Sequence, residues 1–151
     1  MGKRAHMASR ITLTPLARFN DAAFLLTRLF VGGFLIWGVW DNITSPAHME
    51  TFVGFLRQYR FPFPELLAPF DVWVQFAIGV AFILGLATRW AGLLCAVNFI
   101  IAIVMVDQHA GIRGAYPAAS LVLIGLILAT YGPGRFSLDA ALFRKGRGRR
   151  R

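Results

Sequence analysis

Apolar residues are concentrated in four long runs that contain almost no charge. The runs cover residues 22–40, 70–87, 90–106 and 115–131. A helix needs roughly 17–25 apolar residues to cross a bilayer core about 30 Å thick. The pattern therefore predicts an all-α membrane protein, an antiparallel bundle of four transmembrane helices over residues 22–131. Residues 1–21 and 132–151 flank this domain.

The connections between the runs differ in length. Only Thr88 and Arg89 separate the second and third runs, which predicts a tight hairpin, and residues 107–114 join the third to the fourth. Residues 41–69 form a longer segment outside the membrane.

Part of this longer segment has the periodicity of an amphipathic helix. Ser45 and Pro46 are suited to the N-cap and the first turn. The apolar residues that then recur at helical spacing are Met49, Phe52, Val53, Leu56 and Tyr59. We expect this helix to lie on the outer membrane surface or to cap the bundle.

Composition and charge support a membrane protein. Hydrophobic residues make up 57% of the chain and charged residues 15%, against about 25% charged in soluble domains. The net charge of +9 lies mainly at the two ends of the chain, so lipid headgroups explain it better than nucleic acid. Six of the eight residues 144–151 are basic, and we expect this tail to attract anionic lipid.

The distribution of Lys and Arg predicts the orientation in the inner membrane. With both termini in the cytoplasm, twelve of these residues lie inside and three outside, in agreement with the positive-inside rule. Residues 1–6 resemble a cloning remnant, and whether Met7 is the native start is left open. The first run is too long for a signal peptide, so we expect it to stay in the mature chain.

Two polar residues lie well inside the runs. Arg28 either snorkels to the cytoplasmic interface or faces a partner, for which Asp21 and Asp139 are candidates. Asn98 is near the middle of the third run, where hydrogen bonding between helices is its favoured role. We expect Cys95 to be a small buried side chain.

Small residues predict close packing of the helices. They are Ala77, Ala81 and Gly85 in the second run, Gly92 and Ala96 in the third, and Gly125 and Ala129 in the fourth.

Several polar residues meet at the predicted outer ends of the helices. Asp41, Gln75, Asp107 and His109 are the candidate ligand-binding residues, and Asp71 shares a helical face with Gln75. The alternative is a rim of solvated helix ends.

No redox centre is visible in the sequence. The four runs contain no histidine for axial haem ligation, and a single cysteine cannot hold an iron–sulfur cluster. No hydrolytic motif or metal site is found either, so we expect no intrinsic cofactor and leave open whether the chain is an enzyme.

The segment after the fourth run resembles a family motif. GPGRFSLD at residues 132–139 is similar to the GPGR-x-SLD motif of the DoxX family of small four-span membrane proteins. The motif residues are Gly132, Pro133, Gly134, Arg135, Ser137 and Asp139. Arg28 and the glycines that follow it also resemble the family's first span. Asp41 and Gln75 depart from the family, which commonly has Lys and Glu there.

The resemblance implies a role beside a membrane oxidoreductase. We expect a DoxX-like subunit that works with a redox protein partner and binds quinone or a lipid-like ligand. The alternatives are a non-enzymatic assembly or scaffold subunit and a small transporter. A homo-oligomer is a further expectation.

The charge distribution generates a labelling prediction. In a Cys95→Ala background, an impermeant thiol reagent added from outside should modify cysteines introduced at Glu50 and Arg113, and should spare those at Arg89 and Arg144. Modification of Arg89→Cys from outside would contradict the orientation.

Overall fold

The computed structural model describes residues 14–107 and 111–147, and these ranges are almost entirely helical. A 3-10 segment, Thr14–Phe19, leads into the first of six α-helices in the described ranges. They are α1 (Asn20–Thr44), α2 (Pro46–Gln58), α3 (Pro64–Leu84), α4 (Thr88–Met105), α5 (Gly111–Tyr131) and α6 (Leu138–Arg147).

Four of these helices are long and apolar enough to cross a membrane. They are α1, α3, α4 and α5, with a mean hydropathy of 1.7 to 1.8 in their most apolar windows. The predicted four-span helical bundle is thereby confirmed, and the chain is a multi-pass membrane protein.

The spans begin and end at other residues than predicted. Helix α1 continues past Trp40 to Thr44, so Asp41 lies within its last turn. Helix α3 begins at Pro64 instead of residue 70 and contains Pro69. Proline is favoured in the first turn because the first N–H groups of a helix have no partner inside it. The segment between the first two spans is therefore shorter than the predicted residues 41–69.

The hairpin between α3 and α4 lies earlier in the chain than predicted. It is formed by Gly85 and the two residues that follow, with φ of 66° at Gly85 and 48° at Ala87. Thr88 and Arg89 already belong to α4. Glycine adopts the left-handed conformation without steric cost, which explains why α3 ends there.

Helix α2 crosses the opposite end of the bundle. It packs on both α1 and α3, and Leu56 is its buried residue. Pro46 is in its first turn, whereas the Ser45 side chain makes no capping hydrogen bond. An exposed ion pair joins Arg57 to Glu65 of α3.

Two glycine pairs allow the spans to pack as two close pairs of helices. A Cβ on Gly32 of α1 would lie 2.6 Å from the carbonyl oxygen of Gly79 in α3. A Cβ on Gly92 of α4 would lie 2.5 Å from the carbonyl oxygen of Gly125 in α5. No side chain fits at these contacts, and small residues at helix crossings are a common source of membrane helix packing.

The small residues in the sequence predicted one of these two helix contacts. The small residues predicted in α4 and α5 lie at the crossing, where a Cβ on Gly125 would also meet Ala96. In α3 the contact is made by Gly79, which was not predicted. Of the predicted residues, Ala77 is exposed, whereas Ala81 packs against the core. The two pairs of helices meet in a core that includes Leu35, Phe82 and the predicted buried Cys95.

We predict that Gly92→Leu lowers the thermal unfolding midpoint in detergent, measured by circular dichroism. Overpacking costs typically 1–3 kcal/mol, and backbone lies where the new side chain must go. Gly33→Leu is the matched control because a Cβ there meets no described atom within 4 Å. Equal midpoints for the two variants would contradict this account of the crossing.

Candidate functional site

The GPGRFSLD segment forms a compact turn between α5 and α6. Gly132 and Gly134 have φ of 95° and 72°, a conformation that favours glycine. The Ser137 hydroxyl donates to the Gly134 carbonyl at 2.9 Å and accepts the Ala140 N–H at 3.1 Å. Ser137 is therefore the N-cap of α6.

The Arg28 side chain reaches into this turn. Its guanidinium donates to the carbonyl oxygens of Pro133 and Phe136, the latter at 2.6 Å. Only 1% of Arg28 is exposed, so the interpretation that it faces protein is the right one. Its hydrogen-bond acceptors are backbone carbonyls, and the predicted candidate Asp21 instead accepts the Arg135 N–H at 3.0 Å.

Two further side chains join the turn to α4 and α5. The Asp139 carboxylate accepts the N–H groups of Ala87 and Thr88 at 2.9 and 3.2 Å, at the start of α4. Arg89 donates to the last carbonyls of α5, at 2.6 Å for Thr130. A carboxylate at a helix N-terminus and a guanidinium at a C-terminus are both electrostatically favourable.

We call this network the latch, defined as residues 132–139 with Asp21, Arg28 and Arg89. It connects the ends of all four spans, because the Asp139 N–H also donates to the Gly85 carbonyl at the end of α3, at 3.1 Å. Its polar groups are used in structural contacts. The other end of the bundle, where α2 lies, is called the cavity end.

A cavity of about 420 Å³ lies at the cavity end, between α2, α3 and α4. Its walls are mostly apolar and rich in aromatic rings. The lining residues are Phe52, Phe55, Leu56, Phe61, Pro62, Leu67, Phe70, Asp71, Gln75, Asn98, Phe99, Ile101, Ala102 and Met105. Its size is typical of small-molecule sites.

Three polar side chains lie together in the wall of this large cavity. The Gln75 amide donates to the Asp71 carboxylate at 2.8 Å, one turn apart on α3. Asn98 of α4 lies beside the same carboxylate. The polar cluster of Asp71, Gln75 and Asn98 thus offers amide donors and a carboxylate acceptor within apolar walls.

A second cavity, of about 220 Å³, adjoins the first on the side of α1. Phe52, Gln75 and Phe99 line both cavities. The remaining lining residues of the small cavity are Phe34, Leu35, Gly38, Val39, Asn42 and Val72.

The structure gathers only part of the predicted binding set. Of the residues that it describes, Gln75 lines both cavities, whereas Asp41 and Asp107 line neither. His109 lies outside the described residues. Asn98, expected to bond between helices, lies beside the Asp71 carboxylate of α3 and also lines the large cavity. Asp71 also lies in the site. Its spacing of one helical turn from Gln75 was the signal in the sequence that indicated this position.

The latch generates a stability prediction. Arg28→Leu should lower the unfolding midpoint, because a buried carbonyl that loses its partner costs about 1–3 kcal/mol and two are affected. Arg28→Lys should restore part of the loss. Arg18→Leu is the control, since Arg18 is exposed and lies over the Phe19 ring. An Arg28→Leu protein as stable as the wild type would contradict the latch.

Comparison with known proteins identifies the family. No curated protein and no solved structure matches the chain. The DoxX family model matches residues 23–108, more than half of the chain, including most of α1 and all of α2, α3 and α4. The chain therefore belongs to the DoxX family.

Proposed function

We propose that this protein binds a quinone, or a lipid-like molecule of similar build, in the large cavity at the cavity end. In this proposal it is the membrane subunit of an oxidoreductase system and positions the ligand for a redox protein partner. The observation that carries the proposal is the polar cluster in the wall of an otherwise apolar, aromatic cavity.

The chemistry of the cavity suits a planar headgroup with carbonyl oxygens. Gln75 and Asn98 carry amide N–H groups that can donate to such oxygens. Phe52, Phe55 and Phe99 supply ring faces and edges, which pack favourably against another ring. A small number of polar groups within an otherwise apolar pocket is also the usual composition of a small-molecule site.

The position of the cavity suits a ligand that is dissolved in the bilayer. Phe70 of α3 and Ile101 of α4 line the cavity and are also exposed, to 65% and 47%. Both helices are membrane spans, so this opening faces lipid. A hydrophobic ligand would enter sideways from the membrane, without passing through water.

The chemistry assigned to each residue in this proposal is binding and orientation. A bound quinone would supply the capacity to accept and release electrons and protons. Gln75 and Asn98 would hold its carbonyl oxygens, and Asp71 would hold the Gln75 amide in place through their hydrogen bond. The electrons themselves would come from the partner protein.

Replacement of the amides should weaken binding of decylubiquinone. We expect Gln75→Leu and Asn98→Leu each to bind about three- to tenfold more weakly, since a hydrogen bond contributes about 0.5–1.5 kcal/mol. Binding is measured by titration calorimetry on protein in nanodiscs, with empty nanodiscs as the blank.

Two other polar residues of the same end provide matched controls. Asp41→Asn and Asp107→Asn alter carboxylates that line neither described cavity, and both should bind decylubiquinone like the wild type. Wild-type protein that binds no more than empty nanodiscs would refute the proposal. Native purification gives a further check, because recovery of a non-redox partner alone would favour the scaffold alternative.

A further inference from the structure

The two cavities share three lining residues. Phe52 of α2, Gln75 of α3 and Phe99 of α4 line both, and each comes from a different helix. Rotamer changes are far faster and smaller than backbone rearrangements. The two cavities can therefore join without any movement of the bundle.

The small cavity has its own opening to the outside of the bundle, on α1. Phe34 and Gly38 line it and are also exposed on this membrane span. A Cβ on Gly38 would meet no described atom within 4 Å. The missing side chain at Gly38 thus keeps an opening toward lipid that a larger residue would fill.

Seven of the nine residues that line the small cavity are apolar. Asn42 and Gln75 are its polar lining residues, and the Asn42 amide already donates to the His48 carbonyl at 3.2 Å. An unfilled apolar cavity destabilises a protein in proportion to its volume. An apolar group that enters it regains the missing packing contacts.

We propose that the two cavities form one elongated site for an amphipathic ligand with a headgroup and a single chain. The headgroup lies at the polar cluster, and the chain passes the shared wall, fills the small cavity and leaves beside Gly38. This inference rests on the proposed function, because it requires the headgroup in the large cavity.

The test compares two probes with a common headgroup, ubiquinone-0, which has no chain, and decylubiquinone. Gly38→Leu places a side chain in the small cavity, and we expect it to weaken decylubiquinone binding about tenfold, equivalent to about 1.4 kcal/mol. Binding of ubiquinone-0 should be unchanged. Gly33→Leu is the matched control, since Gly33 is on the same helix, is equally free of neighbours and lines neither described cavity.

A photoreactive diazirine at the chain end gives a second measurement that needs no variant. In wild-type protein it should label the α1 peptide around Phe34 and Gly38. Labelling around Phe70 and Ile101 instead would show that the chain leaves through the large cavity and would overturn the inference.

The outcomes separate this inference from the proposed function. Wild-type protein that binds neither probe contradicts both. Wild-type protein that binds both probes, with decylubiquinone unaffected by Gly38→Leu, contradicts the elongated site alone. Equal weakening of both probes by Gly38→Leu would place the headgroup in the small cavity, which also overturns the inference.

Discussion

The structure depends on one buried charge, the Arg28 guanidinium inside the helical bundle. A charge in apolar surroundings is costly unless polar groups replace its hydration. Here the carbonyls of Pro133 and Phe136 do so, and they are available only because the segment after α5 folds back over α1. Asp139 and Arg89 then connect the same segment to α3, α4 and α5. The requirement of the Arg28 guanidinium for hydrogen-bond acceptors thus determines how the four spans meet at the end of the bundle where the latch lies.

The close glycine contacts lie in the same half of the bundle as the latch. Gly79 is five residues from the last residue of α3, Gly92 four from the first residue of α4, and Gly125 six from the last residue of α5. The close contacts at Gly32–Gly79 and Gly92–Gly125 therefore hold the helices together near the latch. Both cavities lie between the spans at the cavity end. The closely packed half of the bundle and the half that contains the cavities thus follow from where glycine and arginine occur in the sequence.

The sequence predicted the number of spans, because hydropathy is a local property. It misplaced the start of α3 because the uninterrupted apolar run begins only at Phe70, although Pro64 lies in a first turn, where proline is favoured. The partners of Arg28 could not be predicted, since they are backbone carbonyls that every residue carries. Asp41 and Asp107 were grouped with Gln75 because the predicted orientation placed all three toward the outer half of the bundle, but membership of a cavity depends on which helical faces meet.

The polar cluster has fewer structural contacts than the latch. The hydrogen bond between Gln75 and Asp71 joins two residues of the same helix, and Asn98 supplies the contact of this cluster between α3 and α4. A span that needed only stability would gain by having apolar residues at both positions, since an ionisable group within a membrane span is costly. Such groups commonly mark ligand or ion sites. Asp71 and Gln75 therefore differ from Arg28, whose charge is used by the fold, and this difference is the physical reason to look for function at the cavity end.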